Sequence, residues 1–184
     1  MLYRIIPFER FFMLATPAHA PAPAIDLARK FSAWLAESTP PEASDVGRHI
    51  FVEQDTTPFL DSARASHLIR TGVRAGHVAE LVGLFGLSRK EDLSGALNTN
   101  GVSLWRWARG NKQLPGATVE QILRTMQLQL LATEVFGDVD QAHKWLHKPH
   151  PSLDDMTPAA FADNEFGAQK VRGMLAGLKY GGVA

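Results

Sequence analysis

Apolar residues recur at helical spacing in separate stretches of the chain, with polar residues between them. A side chain that meets the core every third or fourth position is typical of an amphipathic helix. The stripes are Leu27, Phe31, Trp34 and Leu35; Val78, Leu81, Val82 and Phe85; Leu93, Ala96 and Leu97; Val119, Ile122, Leu123, Met126 and Leu130; Val139, Ala142 and Leu146; and Val171, Met174, Leu175 and Leu178. No segment alternates with period two for long enough to predict a strand. The pattern therefore predicts an all-α fold.

Cap and stop residues set the expected helix ends. Ser88–Glu91 and Thr118–Gln121 have the capping-box pattern and predict two helix starts. Asp138 and Thr157, the latter followed by proline, predict two more. We also expect a short helix over 25–37, a core-facing helix over 74–85, a long helix from 118 to about 137 and a last helix from about 164. The stretch 43–57 shows no clear pattern.

Composition limits the kinds of function. The 184 residues carry 19 basic and 19 acidic side chains and no cysteine. A neutral chain argues against a general polyelectrolyte binder, so a nucleic-acid site has to be a local patch. The lack of cysteine excludes thiol nucleophiles, disulfides and Cys-ligated zinc, and it favours the cytoplasm. Because Glu9 and Arg10 interrupt the first apolar stretch, we expect no signal peptide, and no apolar run is long enough to span a membrane.

A helix-turn-helix is indicated between Ser88 and Lys112. Turn residues at Asn98–Gly101 separate two short predicted helices, and the second runs from about Val102 to Arg109 and stops at Gly110. In such a unit this last helix enters the major groove, so it needs an apolar inner face and a polar outer face. Leu104, Trp107 and Ala108 are spaced to form the inner face.

The helix-turn-helix also has a local positive charge. Between Ser88 and Lys112 there are five basic and two acidic residues, a net charge of +3 in a neutral chain. We expect the basic side chains to meet phosphates, and Ser103 or Arg106 to reach base edges. Trp105 is left open between core packing, DNA and a second subunit. The candidate DNA-binding residues are Arg89, Lys90, Ser103, Trp105, Arg106, Arg109 and Lys112.

The same segment resembles the Cro/C1 (Xre) helix-turn-helix. The resemblance lies in Arg106-Trp107-Ala108-Arg109-Gly110, followed by Leu114-Pro115. The turn departs from the family, because Asn98-Thr99-Asn100-Gly101 stands where Gly-Val-Ser is more usual. A single monomer offers one reading helix, so the resemblance implies a homodimer on paired half-sites.

The C-terminal part resembles the toxin-binding domain of the MbcA/ParS/Xre antitoxins over nearly all of 135–184. An ordered series of positions carries this resemblance. The series is Phe136-Gly137-Asp138, Ala142, Trp145-Leu146, Pro149-His150-Pro151-Ser152-Leu153, Thr157-Pro158, Gly167-Ala168, Val171 and Tyr180-Gly181.

The resemblance implies a partner and a role. Such antitoxins pair with RES-domain toxins, which consume NAD or transfer ADP-ribose from it. The antitoxin blocks the toxin cleft with its C-terminal end, represses the shared operon and joins the toxin in a higher-order complex. The blocking segment would be Lys170–Ala184. The candidate toxin-binding residues are Lys170, Met174, Leu178, Lys179, Tyr180, Gly181, Gly182 and Ala184.

Three functions are considered for this sequence. An antitoxin and autorepressor explains both halves of the chain. A stand-alone helix-turn-helix repressor, with a dimerising C-terminal domain, leaves the specific tail unexplained. An enzyme would need His143, His147 and His150 as metal ligands, but Lys144 stands where a His-Glu-x-x-His hydrolase has its base. We therefore expect no enzyme activity, no metal and no cofactor.

The predicted domains follow from these assignments. Residues 1–57 are expected to form a flexible N-terminal arm with one short helix, 58–130 the DNA-binding domain and 131–184 the toxin-binding domain. The partners expected are the RES-domain toxin and operator DNA, and no membrane.

Overall fold

Helices dominate the computed structural model, which describes residues 22–54 and 57–181. The helices are α1 Ala22–Ser38, α2 Ser44–Arg48, α3 Ser62–Thr71, α4 Leu81–Leu84, α5 Lys90–Ala96, α6 Gly101–Arg109, α7 Gly116–Phe136, α8 Val139–Leu146, α9 Pro158–Phe161 and α10 Glu165–Lys179. Short 3-10 turns lie at Pro41–Ala43, Val78–Glu80 and Pro151–Leu153. The all-α prediction is confirmed.

One small β-hairpin accompanies the helices. β1 (Phe51–Gln54) pairs antiparallel with β2 (Thr57–Leu60), with Phe51 opposite Leu60 and Gln54 opposite Thr57. No sequence pattern predicted these strands, because four residues are too few to show an alternating pattern. The hairpin falls in and next to the stretch that had no clear pattern.

The N-terminal helix is part of the main core. Phe31, Trp34 and Leu35 of α1 are fully or almost fully buried, and the Phe31 ring meets the Phe85 ring edge-on at 6.2 Å. The Trp34 indole N–H donates to the carbonyl of His77 at 2.9 Å. From Ala22 onward the predicted flexible arm is therefore wrong, because the apolar stripe of α1 closes the core of the following helices. The remainder of the predicted arm, residues 1–21, lies outside the described residues.

The helix predicted over 74–85 is shorter than expected. Gly72 has a φ of 93°, and Arg74 forms a β-bridge with Gln113. This extended stretch holds the backbone out of helical geometry, and helical structure begins only at Val78. Val78, Leu81 and Phe85 of the apolar stripe are buried even so, because the 3-10 turn and α4 together keep their helical spacing.

Both predicted capping boxes are wrong, whereas the other caps are confirmed. α5 begins after Arg89 and α7 after Pro115, and neither residue makes a side-chain cap bond. Asp138 accepts from the Gln141 backbone N–H at 2.8 Å, and Thr157 accepts from that of Ala160 at 3.1 Å.

Two apolar clusters are built around the long helix α7. The first joins α1, α5, α6 and one side of α7; the second joins the other side of α7 to α8, α9 and α10. The two sets overlap along the helix, since Leu128 belongs to the second cluster and Leu130 to the first. α7 is thus a shared wall, and it fixes the position of α10 relative to α6.

Buried amides connect the two clusters. The Gln121 side-chain amide donates to the carbonyls of Ala96 at 3.3 Å and Ala162 at 3.4 Å, which belong to different halves. The Gln129 amide donates to the carbonyl of Phe85 at 3.1 Å, and His147 Nε2 contacts the same oxygen at 3.0 Å. Buried polar groups that satisfy one another hold a single packing arrangement.

Candidate functional site

The candidate helix-turn-helix consists of α5, α6 and the turn between them. Asn98 lies in the left-handed region with a φ of 46°, which asparagine tolerates better than most residues. The Asn100 side chain caps α6 by accepting from the Ser103 backbone N–H at 3.1 Å. Leu93, Leu97 and Leu104 are buried between the helices. The unusual turn therefore still orients α6 against α5.

The outer face of α6 carries three exposed side chains. Val102, Arg106 and Arg109 follow one another at i, i+4 and i+7, which places them in line on the helix. Val102 is 75% exposed. Arg106 reaches back to the Ser103 hydroxyl at 3.5 Å, and no ion pair holds either arginine among the described residues. This face can offer two cations and an aliphatic group to a ligand.

The remaining candidate DNA-binding residues are placed unequally. Lys90 and Lys112 are exposed, as is Arg89, whose guanidinium is paired with the Asp92 carboxylate at 3.1 Å. Ser103 is half-buried beside Arg106. Trp105 is partly buried and packs against the main apolar cluster, as Trp107 does. Of the three roles considered for Trp105 (core packing, DNA contact and contact with a second subunit), its position supports core packing.

The C-terminal helix α10 turns one side to the core and the other to solvent. Ala168, Val171 and Leu175 are fully buried. Gly167 lies where a Cβ would meet the carbonyl oxygen of Phe161 at 1.8 Å, so only glycine allows α9 and α10 to approach so closely. This contact gives the Gly167-Ala168 pair of the resemblance a structural reason.

Not every candidate toxin-binding residue is available to a partner. Met174 was expected to face the toxin, but it is only 6% exposed and packs in the second cluster. Its stripe is the inner side of α10, which explains the error. Lys170, Leu178, Tyr180 and Gly181 are exposed, and Tyr180 is so over 79% of its surface. Gly182 and Ala184 lie outside the described residues.

Lys179 has an internal partner. Its Nζ lies 2.6 Å from the Glu134 carboxylate and 5.5 Å from the centre of the Tyr180 ring. Burial alone would lower the pKa of Lys179, but the hydrogen bond and the charge of Glu134 outweigh it and raise the pKa. The lysine thus ties the end of α10 to α7 and places Tyr180 at the edge of the domain.

The structure adds Phe166 to the exposed side of α10. This side chain is 86% exposed, in the first turn of the helix. Phe166, Lys170, Gly173, Gly177 and Tyr180 follow at i, i+4, i+7, i+11 and i+14, which places them along one face. We call these five residues the outer stripe. The outer stripe could have been predicted from the sequence, because its residues form the face of α10 opposite the Val171/Leu175 side that packs in the core.

The three histidines of the suspected metal pattern make separate contacts. His147 meets the carbonyl of Phe85, and the His150 Nδ1 lies 2.8 Å from the Ser152 hydroxyl. The His143 ring lies against Gly86, where a Cβ would be only 2.1 Å from its Nδ1. Each ring thus has a structural role.

A different trio places ligand atoms within 4.8 Å of one another. Its members are Glu37, His77 and Glu80, all exposed. His77 Nδ1 lies 2.9 Å from the Glu80 carboxylate, so a surface hydrogen bond accounts for the proximity of these two members.

His143 makes stability depend on pH. Burial lowers its pKa, the charge of His147 lowers it further, and Asp140, Asp138 and the Leu84 carbonyl raise it only in part. Since the folded pKa lies below the unfolded value of 6.5, the stabilisation is fully present above pH 6.5 and is lost as pH falls through the folded pKa.

We expect His143→Leu to weaken this acid dependence. The change removes one titrating group, so the slope of unfolding free energy against pH between pH 7 and 5 should fall by at most about 1.4 kcal/mol per pH unit. Urea unfolding at several pH values measures the slope. An unchanged slope would contradict the role given to His143.

Comparison with known families finds a match in the C-terminal part of the chain. Residues 131–181 match the family model described as the antitoxin Xre/MbcA/ParS C-terminal toxin-binding domain. The resemblance noted from the sequence is thereby confirmed: residues 131–181 are similar to the toxin-binding domain of the Xre/MbcA/ParS antitoxins. The match supports an antitoxin role and a toxin as partner. A comparison with curated proteins finds no match.

The described part of the chain contains no helix that is both long and apolar enough to cross a membrane.

Proposed function

We propose that the protein is an antitoxin that blocks the NAD-consuming cleft of a cognate RES-domain toxin and represses its own operon through the helix-turn-helix. The observation that carries the proposal is the family match of residues 131–181. The RES identity of the toxin rests on the resemblance, since Xre-type antitoxins pair with toxins of that class. The protein acts here by binding and has no catalytic step of its own.

The proposed toxin surface is the outer stripe together with the tail that follows it. Phe166 and Tyr180 supply exposed aromatic groups of the kind that dominate binding energy at interfaces. Gly173 and Gly177 lie between them and keep the middle of the helix face narrow, so a partner backbone can approach closely. A Cβ at Gly173 would have no atom within 4 Å, so this surface is open in the free protein. The chain after Tyr180 would continue from this face into the toxin cleft.

The proposed DNA surface is the outer face of α6. Arg106 and Arg109 provide exposed positive charge, and Lys90 and Lys112 add to it nearby. In a helix-turn-helix, residues of this helix meet base edges while flanking cations meet phosphates. We propose that two copies bind paired half-sites, since one α6 alone covers a single half-site.

Arg106→Ala is expected to weaken operator binding by about 1–3 kcal/mol, the usual loss for a base-reading arginine. Binding of the toxin should not change, because α6 and α10 are on different parts of the molecule. Gel-shift titration at fixed salt measures the first effect, and co-purification with the toxin measures the second. Arg29→Ala, an exposed arginine of α1, serves as the matched control. Equal operator affinity in both variants would contradict the role of Arg106.

The antitoxin proposal is tested by growth. The protein encoded next to this one is expressed alone and then together with this chain, and cellular NAD is measured in both cultures. We expect growth arrest with NAD loss, relieved by co-expression. Arrest without NAD loss would keep the antitoxin but reject a RES toxin. If the protein encoded next to this one is harmless and forms no complex with it, the second candidate function, a stand-alone repressor, would be favoured. The exposed α6 face supports that function equally well.

A further inference from the structure

The first outward side chain of α6 is aliphatic rather than polar. Val102 is 75% exposed, and it lies in line with the exposed Arg106 and Arg109. The apolar contacts of α6 with the core are made by other residues, since Leu104 is fully buried and Trp105 packs against the core. Val102 therefore contributes nothing to the core and leaves its side chain in water.

We propose that Val102 contacts the C5 methyl group of a thymine and so sets a base preference within the operator; this rests on the proposed function as a DNA-binding repressor. The early residues of a reading helix meet base edges in the major groove. There the thymine methyl is the apolar group that an aliphatic side chain can contact, whereas the other base edges present hydrogen-bonding groups. An exposed valine has no means to satisfy those groups.

The charge of the surrounding face favours DNA as its occupant. Arg106 and Arg109 share the face with Val102, and Lys112 follows the helix. The nearest acidic residues in sequence, Glu91 and Asp92, line a cleft with His147 and Thr157 on the C-terminal side of the protein. Asp92 is also paired with Arg89. A positively charged face with one apolar side chain is complementary to DNA, where the arginines can meet phosphates and Val102 can meet a thymine methyl group.

The stiffness of valine suits this role. A β-branched side chain in a helix has one strongly preferred χ1 rotamer, so its two methyl groups are held in place before DNA arrives. Burying one methyl group is worth about 0.8 kcal/mol, or roughly a fourfold change in affinity for each half-site. Val102 is thus a specificity-determining residue that works beside the arginines.

The test separates the methyl group from every other feature of the base. A preferred duplex is selected from a randomised DNA pool with the wild-type protein, and each thymine is then replaced in turn by deoxyuridine, which lacks only the methyl. We expect one thymine per half-site at which the replacement weakens binding about fourfold. Val102→Ala should bind the two duplexes equally. Met156→Ala, a change at another exposed apolar residue, should keep the wild-type difference.

The outcomes separate the inference from the proposal on which it rests. If the wild type binds a selected duplex but no thymine responds to deoxyuridine, Val102 has no such role and the repressor still stands. The same holds if Val102→Ala keeps the full response. If the wild type retains no duplex from the pool, DNA binding itself is wrong, and the inference falls with it.

Discussion

Gly173→Trp is expected to abolish neutralisation of the toxin while the antitoxin remains folded. The new indole would stand in the middle of the outer stripe, between Phe166 and Tyr180, and hold a docked partner away from α10. Since a Cβ at Gly173 meets no atom within 4 Å, the fold has room for the larger side chain. We expect toxin affinity to fall on the order of 100-fold, or about 2.8 kcal/mol. Calorimetric titration with toxin gives the affinity, and co-expression gives neutralisation.

Gly173→Ala is the control for this experiment. Alanine favours the helix by about 0.8–1.0 kcal/mol over glycine, so the variant should be more stable and still neutralise. Deletion of 181–184, which leaves Tyr180 in place, tests the tail separately from the stripe. If Gly173→Trp neutralises as the wild type does and only the deletion fails, the toxin is held by the tail and the outer stripe is not an interface.

Phe31→Ala is expected to destabilise the whole protein by about 3–5 kcal/mol. The ring is fully buried in α1 and lies 6.2 Å from the rings of both Phe51 and Phe85, so its loss leaves a cavity that these neighbours cannot fill. Urea unfolding followed by circular dichroism measures the loss. Operator binding should decline with the folded fraction, because α1 closes the core behind the helix-turn-helix.

The control for Phe31→Ala lies on the same helix. Lys30 is 60% exposed and makes only a surface ion pair with Asp26, so Lys30→Ala should change stability by less than about 1 kcal/mol. A comparably small effect of Phe31→Ala would mean that α1 contributes little to the stability of the core.

The sequence predicted best those features that a single segment determines. The stripe of α7, its end at Gly137 and the caps at Asp138 and Thr157 all follow from local chemistry, and they are confirmed. The hairpin was missed because Phe51 and Leu60 depend on each other across the turn rather than on a pattern within either strand.

Features that depend on distant partners were predicted less well. The stripe of α1 was recognised, but only the folded chain shows that Phe85 and His77 are its partners. Thr118 and Gln121 have the spacing of a capping box, yet Gln121 is buried and bonds to Ala96 and Ala162. A capping motif cannot be told from a buried amide without the neighbouring elements.

The candidate sites show the same division. Arg106 and Tyr180 were chosen from motif and resemblance, and the structure leaves both exposed. Met174 was chosen from its position in the tail, but its side of α10 is needed by the core. Val102 and Phe166, both exposed, were not among the candidate residues. An apolar side chain can be recognised as exposed only when the buried face of its helix is known.

Because α7 contributes to both apolar clusters, it limits how the two parts of this protein could be exchanged with those of a related protein. Leu128 and Leu130 lie two positions apart and serve different clusters, so no point within the helix separates one half from the other. A chimaera joined at residue 130 would graft half a helix onto a foreign one and leave both clusters incomplete. Under the proposed function, new pairings of operator and toxin would arise by exchange of surface side chains on α6 and α10, with the interior inherited as a unit.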